Sequence, residues 1–280
     1  MAIQILRKYL LVITFCFYYS WGQISQFEIK EYHPISDEMS SLDFKPTKFN
    51  WSIGNRFLLF DEVKNQILEV DKTGGLTFPS GFNTHSIYGQ FVWMGVIPEG
   101  IGVVDRLQNT IHFLDFRLNL TSTIKFEPKL YPEMVTISSW GKFYFYSKAY
   151  NSIFFFDRSL HNAMPFVDLS KERIPNNCFM DMVLNKDGDL AILSCSGTIY
   201  FFSMNGKLEV SAPVEIDDPK YILSIKNDWL VFNDYGNVFS METGMKYKVP
   251  EVSMPILDIK SNNNSIAILS LNQIFVLDVK

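Results

Sequence analysis

Short apolar stretches alternate with polar turns along the chain, and the same arrangement returns about every 43 residues, six times in all. Each unit contains an apolar stretch, a turn, a second apolar stretch, another turn, and a third apolar stretch that often ends in aspartate. A unit of this size cannot bury its own apolar faces, so the repeat predicts copies stacked on one another. The third stretches show it most plainly, at 67–71, 111–115, 153–157, 199–203, 238–242 and 274–278.

The fourth unit shows how the strands are bounded. Its sequence predicts four strands, at 179–184, 189–195, 198–203 and 207–212. The turns between them contain Asp187-Gly188, Ser196-Gly197 and Asn205-Gly206, and such pairs favour tight hairpins because they tolerate positive φ. By the same reasoning the first strands of the six units begin near Lys48, Phe91, Met134, Phe179, Tyr221 and Pro255.

Four-stranded antiparallel units at this period predict an all-β fold, a six-bladed β-propeller in which the sheets pack face to face around a central channel. The composition supports a large core, since 47% of the residues are hydrophobic and 25 are phenylalanine. The sixth unit stops after its third strand, at Lys280. We expect the alternating segment 26–32 to supply the missing strand and close the ring. A pair of β-sandwiches and an open solenoid are the other interpretations; the even period disfavours the first and the strand exchange between the termini disfavours the second.

The pattern resembles NHL-type and related six-bladed propellers, including those of the lactonase type. Ile101-Gly102-Val103-Val104-Asp105, followed by Asn109 and Ile111, is similar to their second strand, Asp-containing turn and third strand. The segment 190–200 with Asn205-Gly206 matches the spacing without the aspartate. The resemblance covers residues 45–280 and implies a fold that serves protein, glycan or RNA binding, lactone hydrolysis and structural roles, so it does not select a function.

The N-terminus has the pattern of a secretory signal peptide. Arg7 and Lys8 precede an apolar run, and small residues at Ser20 and Gly22 favour cleavage before Gln23. We therefore expect a signal peptide at 1–22, a single propeller domain at 23–280, and export to the periplasm, cell surface or extracellular space. A retained membrane anchor would need about 20 apolar residues, and a lipoprotein at Cys16 would need smaller residues before it.

The charge of the chain disfavours nucleic acid as a partner. The formal charge is −5, and cleavage would change it to −7 because it removes Arg7 and Lys8 and no acidic residue. Nucleic-acid affinity comes largely from clustered basic residues, whereas those of this chain are scattered. We expect a monomer without a stable membrane span after cleavage.

The loops between blades and the turns between second and third strands gather on one face of a propeller. Lactonase-type relatives hold calcium there with carboxylate and amide oxygens, which suit a hard cation. The resemblance makes Asp61, Asp105, Asn177 and Asn233 a candidate calcium set and a calcium-dependent hydrolase of the lactonase or phosphotriesterase type the alternative function. The other interpretation is that these residues cap turns by bonding nearby backbone.

The same loops contain a candidate binding surface. Its members are polar or aromatic residues at predicted loop positions: Asn83, His85, Tyr131, Tyr150, Asp218 and Asp234. No nucleophile elbow, phosphate loop or paired-base arrangement appears in the sequence. We therefore predict a non-catalytic binding or scaffold module for a protein or surface polymer, with no cofactor other than the calcium of the alternative.

Cys178 and Cys195 are candidates for a disulfide bond. If Leu184 pairs with Asp189 across the turn 185–188, the two cysteines lie opposite each other on adjacent strands. An oxidising compartment would favour the bond. Two separate buried thiols are the other interpretation.

Overall fold

The structure is a computed structural model, and it describes residues 27–35, 39, 41–79, 89–157, 162–175, 178–250 and 255–280. These residues form six four-stranded antiparallel sheets. The predicted all-β, six-bladed propeller is confirmed. The predicted signal peptide lies outside the described residues, and no described helix has the length and apolarity to cross a membrane.

The blades follow one another along the chain, and each of the first five uses four consecutive strands. Blade one contains β2 (Lys48–Trp51), β3 (Phe57–Asp61), β4 (Gln66–Val70) and β5 (Leu76–Thr77). Blade two contains β6 (Phe91–Ile97), β7 (Gly100–Asp105), β8 (Thr110–Leu114) and β9 (Leu120–Lys125). Blade three contains β10 (Met134–Ile137), β11 (Phe143–Ser147), β12 (Ser152–Phe156) and β13 (Ala163–Asp168). Blade four contains β14 (Phe179–Leu184), β15 (Leu190–Ser194), β16 (Thr198–Phe202) and β17 (Leu208–Pro213). Blade five contains β18 (Tyr221–Ile225), β19 (Asp228–Phe232), β20 (Asn237–Ser240) and β21 (Lys246–Lys248).

Blade six is built from both ends of the chain. Its strands are β22 (Ile256–Asn262), β23 (Ser265–Ser270), β24 (Gln273–Val279) and, at the outer edge, β1 (Phe27–Pro34). β1 pairs antiparallel with β24, from Phe27 opposite Val279 to Pro34 opposite Gln273. That this pairing is what fastens the ring stays a prediction.

Burial explains why the middle strands are so apolar. Every residue of β3, β7, β11 and β15 is buried, because each second strand is covered on both faces by neighbouring blades. The fourth strands β9 and β17 lie at the rim and are mostly exposed. Clusters of buried side chains fill the spaces between neighbouring blades. One of them joins Phe27 of β1 to Phe232 of blade five and Phe275 of blade six.

The turns depend on residues that tolerate positive φ. Gly206 has a φ of 76°, and a Cβ there would lie 2.4 Å from the backbone oxygen of Phe166. Asn109, which ends the turn between β7 and β8, also adopts a left-handed conformation. The turn signals in the sequence therefore mark the hairpins correctly.

The innermost strands form a closed ring. β2, β6, β10, β14 and β18 each contact the next, and β22 contacts both β18 and β2. All six begin at the face that holds the inter-blade loops and run along the channel toward the opposite face. Their first residues therefore surround one end of the central channel. We call this end the channel mouth.

Candidate functional site at the channel mouth

A cavity of about 130 Å³ opens at the channel mouth, and the innermost strands of all six blades contribute to its wall. Its lining combines charged, aromatic and methionine side chains. A concave site with a few convergent polar groups in an otherwise apolar wall is the usual form of a binding pocket. This cavity is therefore a candidate binding site in the described structure.

Three β-bulges shape the cavity, and they occur in alternate blades. Each falls at the second residue of an innermost strand: Val92 in β6, Met180 in β14 and Leu257 in β22. A bulge adds one residue to its strand and re-aims the side chains beside it. As a result both the bulged residue and the one after it line the cavity; the following residues are Trp93, Asp181 and Asp258.

Two of these following residues link neighbouring blades. Asp258 accepts hydrogen bonds from its own neighbour Ile259 N (2.9 Å) and from Phe49 N of blade one (3.0 Å). Asp181 accepts from Met182 N and from Ile222 N of blade five, both at 2.8 Å. The carboxylates thus satisfy backbone donors at the inner edge of the next blade, where no β-ladder partner exists.

Lys260 is the cation within this group. Its Nζ lies 2.8 Å from Asp258 Oδ1, and a third of its side chain remains exposed to the cavity. Burial lowers the pKa of Lys260, but the carboxylates of Asp258 and Asp181 outweigh burial and raise it. Burial raises the pKa of Asp181, an effect that Lys260 opposes and Asp258 reinforces.

Tyr221 completes the inner wall on the side of blade five. Its hydroxyl donates to the backbone oxygens of Ile256 and Leu257 in blade six, both at 3.0 Å. Burial first, and then the nearby Asp258, raise the pKa of the phenol. Tyr221 is therefore a neutral side chain at physiological pH and acts as a further link between blades.

The residues proposed as calcium ligands lie at the bases of turns. Asp61 accepts from Lys45 N and Lys64 N, both at 2.9 Å. Asp105 accepts from Gly89 N (2.7 Å), Gln90 N (3.1 Å) and Gln108 N (3.0 Å).

Asn233 has the same place in blade five. Its Oδ1 accepts from Tyr235 N (3.1 Å) and Asn237 N (2.9 Å), while its Nδ2 donates to Asp217 O (2.9 Å). Like Asp61 and Asp105, Asn233 is at most 1% exposed. All three join a turn to the inter-blade loop 16 residues earlier, an arrangement that favours the turn-capping interpretation.

In two further blades the turn is also joined to the preceding inter-blade loop, but through different chemical groups. Ser147 donates to Leu130 O, 17 residues earlier. In blade four Cys195 is joined to Cys178, also 17 residues earlier, by a disulfide bond and by a hydrogen bond from Cys195 N to Cys178 O. We call these five the base residues: Asp61, Asp105, Ser147, Cys195 and Asn233.

The strand register behind the disulfide prediction was wrong in one respect. Leu184 pairs with Leu190, not with Asp189. The bulge at Met180 shifts the register by one residue, so that Phe179 lies opposite Ser194 and the cysteines face each other. The bulge was not visible in the sequence. Its one-residue shift compensates for the one-residue error in the predicted pairing at the turn, so the prediction that the cysteines lie opposite each other still agrees with the structure.

The predicted calcium set is only partly described. Asp61, Asp105 and Asn233 belong to blades one, two and five, while Asn177 lies outside the described residues. Among the residues that the structure describes, no three histidine, cysteine, aspartate or glutamate side chains are grouped as a metal site.

The predicted binding surface is also partly described. Tyr131 and Tyr150 are 40% and 49% exposed on the mouth face. Lys220 Nζ lies 3.2 Å from Asp218 and bonds Asp234, and these partners, Asp234 first, raise the pKa of the lysine. Asn83 and His85 lie outside the described residues.

Sequence reasoning named Tyr150 but missed the other members of a set of exposed apolar residues in the turns between second and third strands. Five of the six blades have one, exposed by 49% to 90%, and we call them the tip residues: Val63, Leu107, Tyr150, Tyr235 and Leu271. In blades one, two and five the tip lies two residues after the base. Single exposed apolar residues are ordinary, but these recur in the same turn of five blades, all on one face. Aligning the turns of the repeats, instead of the strands, could have found them.

The described structure is therefore a six-bladed β-propeller with a lined channel mouth and an apolar rim on the same face. No known family model and no curated protein sequence matches the chain.

Solved structures share the fold. A catalytically inactive histidine-to-alanine variant of virginiamycin B lyase from Staphylococcus aureus, with quinupristin, has a TM-score of 0.64 at 12% identity, covering 91% of this chain and 100% of that chain. YCF48 bound to D1 peptide has a TM-score of 0.61 at 13% identity, covering 84% and 78%. The WD40 β-propeller domain of Doa1 has a TM-score of 0.57 at 13% identity, covering 83% and 78%. At these identities the likeness defines the fold alone, and the narrower NHL-like or lactonase-like assignment stays a prediction.

Proposed function

We propose that the protein is an exported, non-catalytic binding module that recognises a protein partner with the mouth face of its propeller. The observation that supports this most is the ring of tip residues. Turn positions normally select polar residues, yet five blades place an apolar side chain in solvent in the turn between their second and third strands. Contact with a partner is the physical reason for keeping such side chains exposed.

The base residues make the tips suitable for recognition. Because Asp61, Asp105 and Asn233 fix their turns to the inter-blade loops, the tips two residues later are held in place before a partner arrives. A preorganised surface loses little conformational entropy on binding. The aliphatic tips Val63, Leu107 and Leu271 favour a protein over a surface polysaccharide, since their contribution is the burial of apolar area.

An enzyme is the competing function, in the calcium-dependent form predicted from the sequence or as a lyase. The virginiamycin B lyase structure shares the fold over 91% of this chain, and its catalytically inactive histidine-to-alanine variant shows that a histidine is needed for catalysis in that protein. Here the described histidines, His33 in β1 and His112 in β8, belong to outer and third strands. His112 bonds two threonines of its own blade. Incubation with quinupristin followed by mass spectrometry, and metal analysis of protein purified without chelator, test the two enzymatic forms directly.

Selection from a random peptide library displayed on phage tests the binding function. A selected peptide, synthesised and added to the protein, should protect the tip-bearing turns from amide hydrogen exchange. It should leave unprotected the turns of the opposite face, such as those containing Trp140, Met204 and Met245. Failure to select any binder, or protection confined to the opposite face, would contradict the proposal.

A further inference from the structure

The charges around the cavity are not balanced. Lys48 pairs with Glu62 (2.8 Å), Arg106 pairs with Glu133 (3.0 Å), and Lys260 pairs with Asp258 (2.8 Å). Asp181 lines the same cavity, but within the described part of the chain its carboxylate has backbone hydrogen bonds and no ion pair. The side chains that line the cavity thus include three carboxylates, of Glu133, Asp181 and Asp258, and two lysines, Lys48 and Lys260. Lys260 attracts Asp181 as well as its ion-pair partner Asp258, so the lining carries one carboxylate more than it has lysines.

The rest of the lining is suited to the stem and head of a cationic side chain. Trp93 and Tyr221 provide aromatic groups, and π-systems attract ammonium and guanidinium ions. Met134 and Met180 provide soft apolar surface for methylene groups. The cavity, with a volume of about 130 Å³, is lined from all six blades and is on the scale of one side chain.

Resting on the protein-binding function proposed above, we propose that the channel mouth receives one lysine or arginine side chain of the partner, with its charge at Asp181 and its stem against Trp93, Met134 and Met180. The tip residues would surround this anchor as an apolar rim. Interfaces of this form, with a central anchor in a pocket and a water-excluding rim, concentrate their binding energy at the anchor. The acidic balance of the whole chain, with a formal charge of −5, also favours a cationic partner.

Cation affinity at this site should depend on pH in a definite direction. Burial raises the pKa of Asp181 above the ordinary value of 3.8. A protonated Asp181 attracts no cation, so affinity should fall as the pH is lowered through the raised pKa. The charged or titratable groups facing Asp181 from the surrounding strands are Lys48, Glu133, Tyr221, Asp258 and Lys260.

Methyl NMR of protein labelled with [methyl-13C]methionine tests the site without an identified partner. The probe is n-butylammonium chloride, which reproduces the end of a lysine side chain; 1-butanol at equal concentration with matched sodium chloride is the neutral control. Met134 and Met180 should shift with butylammonium and much less with butanol. Met204 and Met245, on opposite-face turns, should not shift.

Two variants should change the affinity in opposite directions. Asp181→Asn should weaken butylammonium binding about tenfold or more, as expected for the loss of about 1.4 kcal/mol. Lys260→Met removes the resident cation and should strengthen it. If Asp181→Asn does not fold, Lys260→Met and the pH series on the unsubstituted protein still decide the question.

The outcomes separate this inference from the proposed function. Equal shifts with butylammonium and butanol, unmoved cavity methionines, or weaker binding by Lys260→Met would overturn the cation site. If a selected peptide protects the tip-bearing turns while butylammonium fails, the binding function stands and the anchor does not. If butylammonium binds and no peptide does, the cation site stands and the protein-binding function does not.

Discussion

Within a single turn of this propeller, two neighbouring positions have opposite environments. Asp105 is fully buried and holds three backbone N–H groups, while Leu107, two residues later, is 59% exposed. Blade one repeats this with Asp61 and Val63, and blade five with Asn233 and Tyr235. Polar residues, which usually indicate a site, here hold the backbone, and apolar residues, which usually form the core, face the solvent. In these turns burial, not residue type, distinguishes the residues that hold the backbone from those that are accessible to a partner.

The largest expected effect is that of Asp105→Ala. It removes the buried acceptor of three backbone N–H groups, so we expect a loss of about 4 kcal/mol in the free energy of unfolding. Leu107→Ala in the same turn should change it by less than about 0.5 kcal/mol. Urea denaturation measures both changes. Equal stabilities of the two variants would contradict the claim that Asp105 holds this turn and Leu107 does not.

The disulfide extends the comparison to blade four. The double variant Cys178→Ser, Cys195→Ser opens a covalent loop with a sequence separation of 17 and should destabilise the protein by about 3 kcal/mol under oxidising conditions. Under reducing conditions the difference from the unsubstituted protein should disappear. Thiol titration of the unfolded, unreduced protein should find neither cysteine free; two free thiols would remove this base residue from the set.

The N-terminal strand offers a similar contrast between buried and exposed positions. Phe27 is 5% exposed within the cluster of blades five and six, and Tyr32 of the same strand is 53% exposed. Phe27→Ala should destabilise the protein by about 3 kcal/mol if β1 fastens the ring, and Tyr32→Ala by less than about 1 kcal/mol. A Phe27→Ala variant as stable as Tyr32→Ala would show that the ring does not depend on this strand.

A smaller effect is expected for Asn233→Ala, because a neutral amide forms weaker hydrogen bonds than a carboxylate. We expect a loss of about 2 kcal/mol. Tyr235→Ala should leave stability within about 0.5 kcal/mol of the unsubstituted protein. The same urea denaturation gives the losses of Asp105→Ala and Asn233→Ala, and their ratio shows how much the charge of the base residue contributes to stability. A larger loss for Asn233→Ala than for Asp105→Ala would contradict this ranking.

The sequence predicted the fold well because strand periodicity and turn residues are local signals. Five of the six predicted first-strand starts coincide with the observed ones, and the sixth strand begins at Ile256 beside the predicted Pro255. The site was harder to predict because it depends on non-local geometry. The bulges at Val92, Met180 and Leu257 follow no sequence rule, and those at Met180 and Leu257 place Asp181 and Asp258 on the cavity wall.

Recognition through the tip residues is tested most directly by the affinity of a selected peptide for two triple variants, measured by isothermal titration calorimetry. One replaces three tip residues, Val63→Ser, Leu107→Ser and Tyr235→Ser; the matched control replaces three exposed apolar residues of the opposite face, Trp140→Ser, Met204→Ser and Met245→Ser. We expect the tip variant to keep its melting temperature and to lose at least about tenfold in affinity, or about 1.4 kcal/mol, while the control binds as the unsubstituted protein does. Undiminished binding by a folded tip variant, or an equal loss in the control, would contradict recognition through the tip residues.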